Sequence, residues 1–391
     1  MNLLEEKFAQ CGPPMIPPLG SAKADRMNAL LLLEGELQSA WFSLVFYPVE
    51  GPALAEASSK LLETLRSVDA ALAEIPGPWF LGGDSPSIVD IHFVATVERL
   101  IASCLYWRGL ALRPSIVCGC GEGRVRRVTF EHLEKWLVAW EQRPAYIATK
   151  SDYYTLIMTM PSQNGPGYSS DIAKDVAAEI YGLGSFWRPS HSPDEQAGSE
   201  SGDGDSSSGG GLKFAEPLAP LQEIGGVGGG CAEAAYMLVS NHGRVVEFAT
   251  RGAGEPGRPA FHAELADPYA EPNTDFSGAV DVCLRHVAAA LLARGNESLT
   301  QEAATAARSD LAGQAGNGEL LPGWEAFEED GQTYYWNDET GEVSWSPPTR
   351  QLDTCLAYLR DRVGVPRDLG QAAALELRRQ LNFEISLLNA E

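Results

Sequence analysis

The sequence has no run of 18 uninterrupted apolar residues, so no segment reads as a membrane-spanning helix. It also lacks any CxxC pair. Its seven cysteines, Cys11, Cys104, Cys118, Cys120, Cys231, Cys283 and Cys355, are odd in number and scattered. That pattern suits reduced thiols in an intracellular compartment better than a disulfide framework. Basic residues are scarce: 29 Lys+Arg stand against 53 Asp+Glu, a formal charge of -24. A polyanion is on average repelled, so neither nucleic acid nor an anionic membrane is an expected partner. The opening MNLLEEKFAQ carries neither a secretory core nor an Arg-rich transit pattern, and the expected location is cytoplasmic.

Catalytic signatures are equally sparse. There is no GxSxG, HExxH or Walker motif, and the residues alone assign no catalytic, cofactor-binding or metal position. Cys118-Gly-Cys120 has no second pair and only six dispersed histidines to complete a site, so two loop thiols are the expectation. Cys11-Gly-Pro-Pro14 lacks the second Cys of a redox motif and reads as a proline-rich connector with Pro17 and Pro18. The GGVGGG run at 225–230 lacks dinucleotide-site spacing.

What is present is mainly helix. With 44% hydrophobic residues over 391 positions, there is material for two or three cores. Helical periodicity predicts segments over 26–46 and 52–75 and an amphipathic one within TFEHLEKWLVAWEQRPAY, making residues 1 to about 155 all-helical. A helix opening after Ser87 is apolar nearly all round, which marks it as buried. Ser87-x-x-Asp90 has capping-box spacing, with the acidic charge at the positive helix end. HSPDEQAGSESGDGDSSSGGG at 191–211 cannot offset its ordering entropy by burial and reads as a flexible linker. Further helices are predicted over 231–239, 277–293, from about 299, and over 352–363 and 371–389.

Residues 321–350 differ in kind. Three aromatic and β-branched runs are separated by Asp330-Gly331 and Asp338-Glu-Thr-Gly341, the signal of a three-stranded antiparallel meander. Alternation puts Tyr334 and Trp336 on one face and Tyr335 on the other, with Val343 and Trp345 sharing a face. An exposed aromatic platform suits the ridged polyproline II helix. The stretch resembles a WW domain in Leu321, Pro322, Trp324, the Tyr-Tyr pair, Asn337, Trp345 and Pro348. The resemblance implies a buckle of Trp324, Tyr335 and Pro348 and a proline-accepting groove of Tyr334 and Trp345. Trp336 and Val343 complete the candidate peptide site. Asp338 stands where many members carry His, Trp336 where an aliphatic is usual, and Val343 in place of a hydroxyl. Generic proline-rich binding is therefore the expectation, rather than a PPxY preference.

Phe80-Leu-Gly-Gly83, followed by Ser87-x-x-Asp90 and a buried helix, resembles the C-terminal helical domain of the glutathione transferases over about residues 1–168. That family's hydrophobic-substrate pocket points to Trp41, Phe42, Tyr106 and Trp107, with plain core packing as the alternative, and the family also implies a possible homodimer. Its thioredoxin-like half, which holds glutathione, is not seen before MNLLEEKF. No cofactor is therefore expected unless that half is supplied.

The expected organisation is a helical domain at 1–168, a helical extension at 169–190 and a linker at 191–230. A second helical extension at 231–315, the WW domain at 321–350 and terminal helices at 351–391 complete it. Two functions follow: a scaffold that binds proline-rich proteins, or a glutathione-conjugating enzyme represented by part of its chain. Whether the chain is an enzyme stays open at this level.

Overall fold

A computed structural model of the chain describes residues 5, 7, 12–114, 116–118, 126–165, 167–169, 212–214, 223–224, 227–255, 270–293, 298, 301–302, 305–306, 324–329, 332–338, 341, 343–344 and 352–388. The chain divides into two compact units, Met1–Leu218 and Ala219–Glu391.

In the first unit, helix α1 (Ala22–Val45) starts four residues earlier than periodicity suggests. The reason is a cap: the Ser21 side chain accepts the Ala24 N–H at 3.2 Å, satisfying one of the orphan donors. It ends just before Pro48, which cannot continue a helix. Helix α2 (Gly51–Ala73) carries a proline in its first turn, where the missing N–H costs nothing. Helix α3 (Ile88–Arg108) is buried along most of its length and stops at Gly109, whose φ of 59° is the left-handed C-cap that glycine alone adopts freely. Helices α4 (Glu131–Glu141), α5 (Pro144–Thr149) and α6 (Tyr153–Asn164) follow.

Helix α1 packs on α2 and α3, α2 on α4, and α3 on α6. The core between them holds Leu37, Leu44, Leu61, Leu65, Phe93, Val97, Leu100 and Trp136, each with essentially no exposure. Each such side chain contributes about 1.5–3 kcal/mol of burial. Arg26 joins α1 to the turn ahead of α3, donating to Phe80 O at 3.1 Å and Ala71 O at 2.7 Å while pairing with Glu74.

The first 155 residues are not purely helical. Strand β1 (Leu110–Ala111) runs parallel to β3 (Arg126–Arg127), and β2 (Ile116–Cys118) pairs antiparallel with β4 (Leu212–Phe214). Strands of two or three residues show no alternation for a sequence reading to detect. The turn after β1 is held by Arg113, almost fully buried, which forks to Glu134 at 2.7 Å and Glu141 at 2.5 Å on α4. Burial alone lowers the guanidinium's pKa, but the two carboxylates outweigh it and the net shift is upward.

The second unit begins with a hairpin of β5 (Glu223–Ile224) and β6 (Val227–Gly228), within the stretch whose composition suggested a linker. Helices α7 (Gly229–Ser240), α8 (His242–Ala249), α9 (Ser277–Leu292), α10 (Leu352–Arg362) and α11 (Gln371–Leu388) build its core. Sequence periodicity did not single out α8, whose eight residues are too few. Leu238, Val280, Leu284, Val287, Leu356, Leu359, Leu377 and Leu381 meet in one apolar cluster. Helix α7 comes so close to α11 that a Cβ on Gly230 would lie 2.9 Å from the Ala372 backbone. Because α10 and α11 pack with α7 and α9, the strands between them are an excursion from a helical core that closes on both sides.

The linker residues 191–211 and the extension 170–190 lie outside the described residues, as does most of the helix expected from about 299. Among the described residues, no helix is long and apolar enough to cross a membrane.

Candidate functional site

Strands β7 (Trp324–Glu329), β8 (Gln332–Asn337) and β9 (Val343–Ser344) form one antiparallel sheet in that order. Register follows from the turns. Glu329 pairs with Gln332 across Asp330-Gly331, the shortest hairpin connection, and this fixes Phe327 opposite Tyr334 and Glu325 opposite Trp336. On the other side Trp336 pairs with Val343 and Tyr335 with Ser344. The second turn closes through the Gly341 N–H, which donates to Asn337 O at 2.9 Å. Gly341 has a φ of 71°, strained for any side chain but not for glycine.

Partners directly opposite share a face, so Phe327, Tyr334, Trp336 and Val343 lie together on one side. The rings touch: Phe327 and Tyr334 stack with centroids 5.6 Å apart at 21°, and Phe327 meets Trp336 edge-on at 6.3 Å. Trp336 is 38%, Phe327 37% and Val343 56% exposed, while Tyr334 is half-buried. On the opposite face Asn337 is only 7% exposed, while Ala326, Glu328 and Thr333 are exposed. Half-buried Tyr335 shares it, directly opposite Ala326. Of the candidate peptide-binding residues the structure thus brings Tyr334, Trp336 and Val343 together, while Trp345 lies outside the described residues. Of the expected buckle, Trp324 pairs through its backbone with Asn337; its side chain and Pro348 are not described.

Phe327 was missing from the sequence reading, although its signal was present. Counting back from a two-residue turn at Asp330-Gly331 places it across from Tyr334.

The capping box at 87–90 is formed. Asp90 has no exposure and gathers donors from three places. Oδ2 accepts Ser87 N at 2.8 Å and Ser87 Oγ at 2.7 Å, while Oδ1 accepts Phe80 N at 3.1 Å and Trp136 Nε1 at 2.9 Å. One carboxylate therefore ties the turn, the start of α3 and helix α4 together, and Phe80 packs on Phe93 with centroids 4.3 Å apart.

The residues of the expected hydrophobic pocket also meet. Trp41 contacts Phe42 edge-on at 5.0 Å, Tyr106 contacts Trp107 at 4.9 Å, and Phe46 links the pairs, 5.6 Å from Trp41 and 5.8 Å from Trp107. Trp41, Tyr106 and Trp107 are buried and Phe42 half-buried, and Trp41 Nε1 donates to Ser103 Oγ at 2.7 Å. An open groove between α1 and α2, lined by Leu32, Glu36, Ser39 and Lys60, includes none of these four rings.

A second polar grouping involves α3. Glu98 hydrogen-bonds to Tyr146, and burial raises its pKa against the opposing influences of that bond, Lys150 and Arg99. Tyr146 is raised as well, by burial and by Glu98.

A family model for the WW domain matches residues 320–348, which contain the whole three-stranded sheet. No curated protein and no solved structure matches the chain. The WW match does not reach the helical region, and the glutathione-transferase resemblance of residues 1–168 gains no support from these comparisons.

Proposed function

We propose that the chain is an adaptor whose WW domain grips proline-rich segments of other proteins on the face formed by Phe327, Tyr334, Trp336 and Val343. The observation that carries this reading is three aromatic rings in contact on one side of a sheet, with Phe327 and Trp336 exposed and Tyr334 half-buried. Such a patch is a liability unless something covers it. A polyproline II helix fits it because its prolines are already ordered and present flat apolar edges to the rings.

The helical core of the second unit, which supplies helices before and after the sheet in sequence, then serves as a scaffold that holds both ends of the excursion. A reducing compartment suits the molecule, since Cys104, Cys283 and Cys355 are buried thiols outside any disulfide.

The test is calorimetric titration of the full chain with a proline-pentamer peptide. Removing a central ring should cost about 2 kcal/mol or more, so Trp336→Ala is expected to weaken binding at least roughly 30-fold. Tyr335→Phe, on the opposite face, should leave it within about twofold. Equal affinity for the wild type and Trp336→Ala would refute the assignment of the face.

A further inference from the structure

The matched segment 320–348 contains Glu325, Glu328, Glu329, Asp330, Asp338, Glu339 and Glu342, and not one Lys, Arg or His. Such one-sidedness is not needed for the sheet to fold, because like charges close together on strands are destabilising. Glu325, Glu328 and Asp338 are exposed, and among the described residues none of the three enters an ion pair. Their fields are not neutralised locally.

Placement adds direction to the charge. Glu325, Trp336 and Val343 are successive partners across the three strands, so they form one row on the aromatic face. Glu325 ends that row on β7, one of the two outer strands. Strands lie roughly 4.8 Å apart, which puts the Val343 and Glu325 positions about 10 Å from each other. A polyproline II helix rises about 3.1 Å per residue, so roughly three residues span the row. A peptide with a proline beside Val343 therefore brings its side chain three positions further along to Glu325.

We infer that the preferred partner of this face is a proline-rich segment followed, about three residues on, by Arg or Lys. This rests on the proposed proline-binding role and adds which proline-rich segments are selected. The carboxylates also act against the wrong partner, since a proline-rich segment flanked by acidic or phosphorylated residues meets repulsion.

The experiment titrates the full chain with three peptides that share a proline pentamer and end in an Arg pair, a Gln pair or a Glu pair. Each exposed ion pair changes affinity by up to about fivefold, so two together predict a preference for Arg over Gln of roughly tenfold at low salt. The preference should shrink as ionic strength shortens the Debye length. Glu325→Gln should cut it by about two- to fivefold. Glu328→Gln, on the opposite face, should change it less.

Equal affinity of the Arg and Gln peptides at low salt overturns the charge selection while leaving proline binding intact. Failure of all three peptides to bind overturns the proline-binding role itself. An Arg preference that Glu328→Gln reduces as much as Glu325→Gln overturns the row geometry.

Discussion

Replacing Asp90 by Ala should unfasten the first helical unit more than any single apolar truncation on its surface. The side chain is fully buried and accepts four hydrogen bonds, from Ser87 N, Ser87 Oγ, Phe80 N and Trp136 Nε1. The Ser87 hydroxyl can rotate to another acceptor, but Ser87 N, Phe80 N and Trp136 Nε1 cannot. Each buried donor left without a partner costs about 1–3 kcal/mol, and loss of the acidic charge at the start of α3 adds up to about 1 kcal/mol. Partial relaxation around the small Ala brings the expected loss to about 4 kcal/mol, in line with the removal of one member of a buried polar network.

In a unit of this size that is a fall in Tm of roughly 8–16 °C. Urea unfolding followed by tryptophan fluorescence reads it, because Trp41, Trp79, Trp107, Trp136 and Trp140 all lie in the first unit. Asp90→Asn keeps an acceptor for Phe80 and Trp136 but opposes Ser87 N with a donor, so it should fall between the two. A loss below about 1 kcal/mol for Asp90→Ala would show that the carboxylate is not the fastening point.

Two further outcomes are expected. Burial raises the Glu98 carboxyl above its ordinary value of 4.5, so its contribution to stability is complete below that value and is lost as pH rises through the raised one. Glu98→Gln should match the wild type at pH 4 and equal or exceed it at pH 8 in thermal unfolding; a wild type that gains on the variant as pH rises contradicts the assignment. Cys104 and Cys355 are buried with thiols pushed up to about 12, and Cys283 is raised too, so all three should resist alkylation in the native state and react on unfolding. Peptide mapping by mass spectrometry checks this, and rapid native labelling of any of the three would place it at the surface.

Periodicity carried the long elements because a helix face repeats. The run Leu61, Leu62, Leu65, Val68 and Leu72 predicts a helix over 52–75, and α2 spans Gly51–Ala73 with those residues buried. The box at Ser87 and Asp90 was legible for the same reason: it is a local spacing rule. What could not be read was long-range. Trp136 Nε1 reaches Asp90 across 46 residues, and no spacing rule connects them. Likewise β1 and β3 pair over only two residues, too few to alternate. In the sheet, alternation separated Tyr334 and Trp336 from Tyr335, but Phe327 appeared only when the turn set the register.

The most direct test of the peptide-binding account labels the full chain with 15N-tryptophan and follows the indole N–H signals while a proline-pentamer peptide ending in an Arg pair is added. The account predicts that the Trp336 indole signal, assigned through Trp336→Phe, shifts in a saturable way. The signals of Trp41 and Trp136, whose indole N–H groups are held by Ser103 and Asp90, should stay in place. A Trp336 signal that does not move at saturating peptide, or shifts confined to the helical-unit tryptophans, would contradict it.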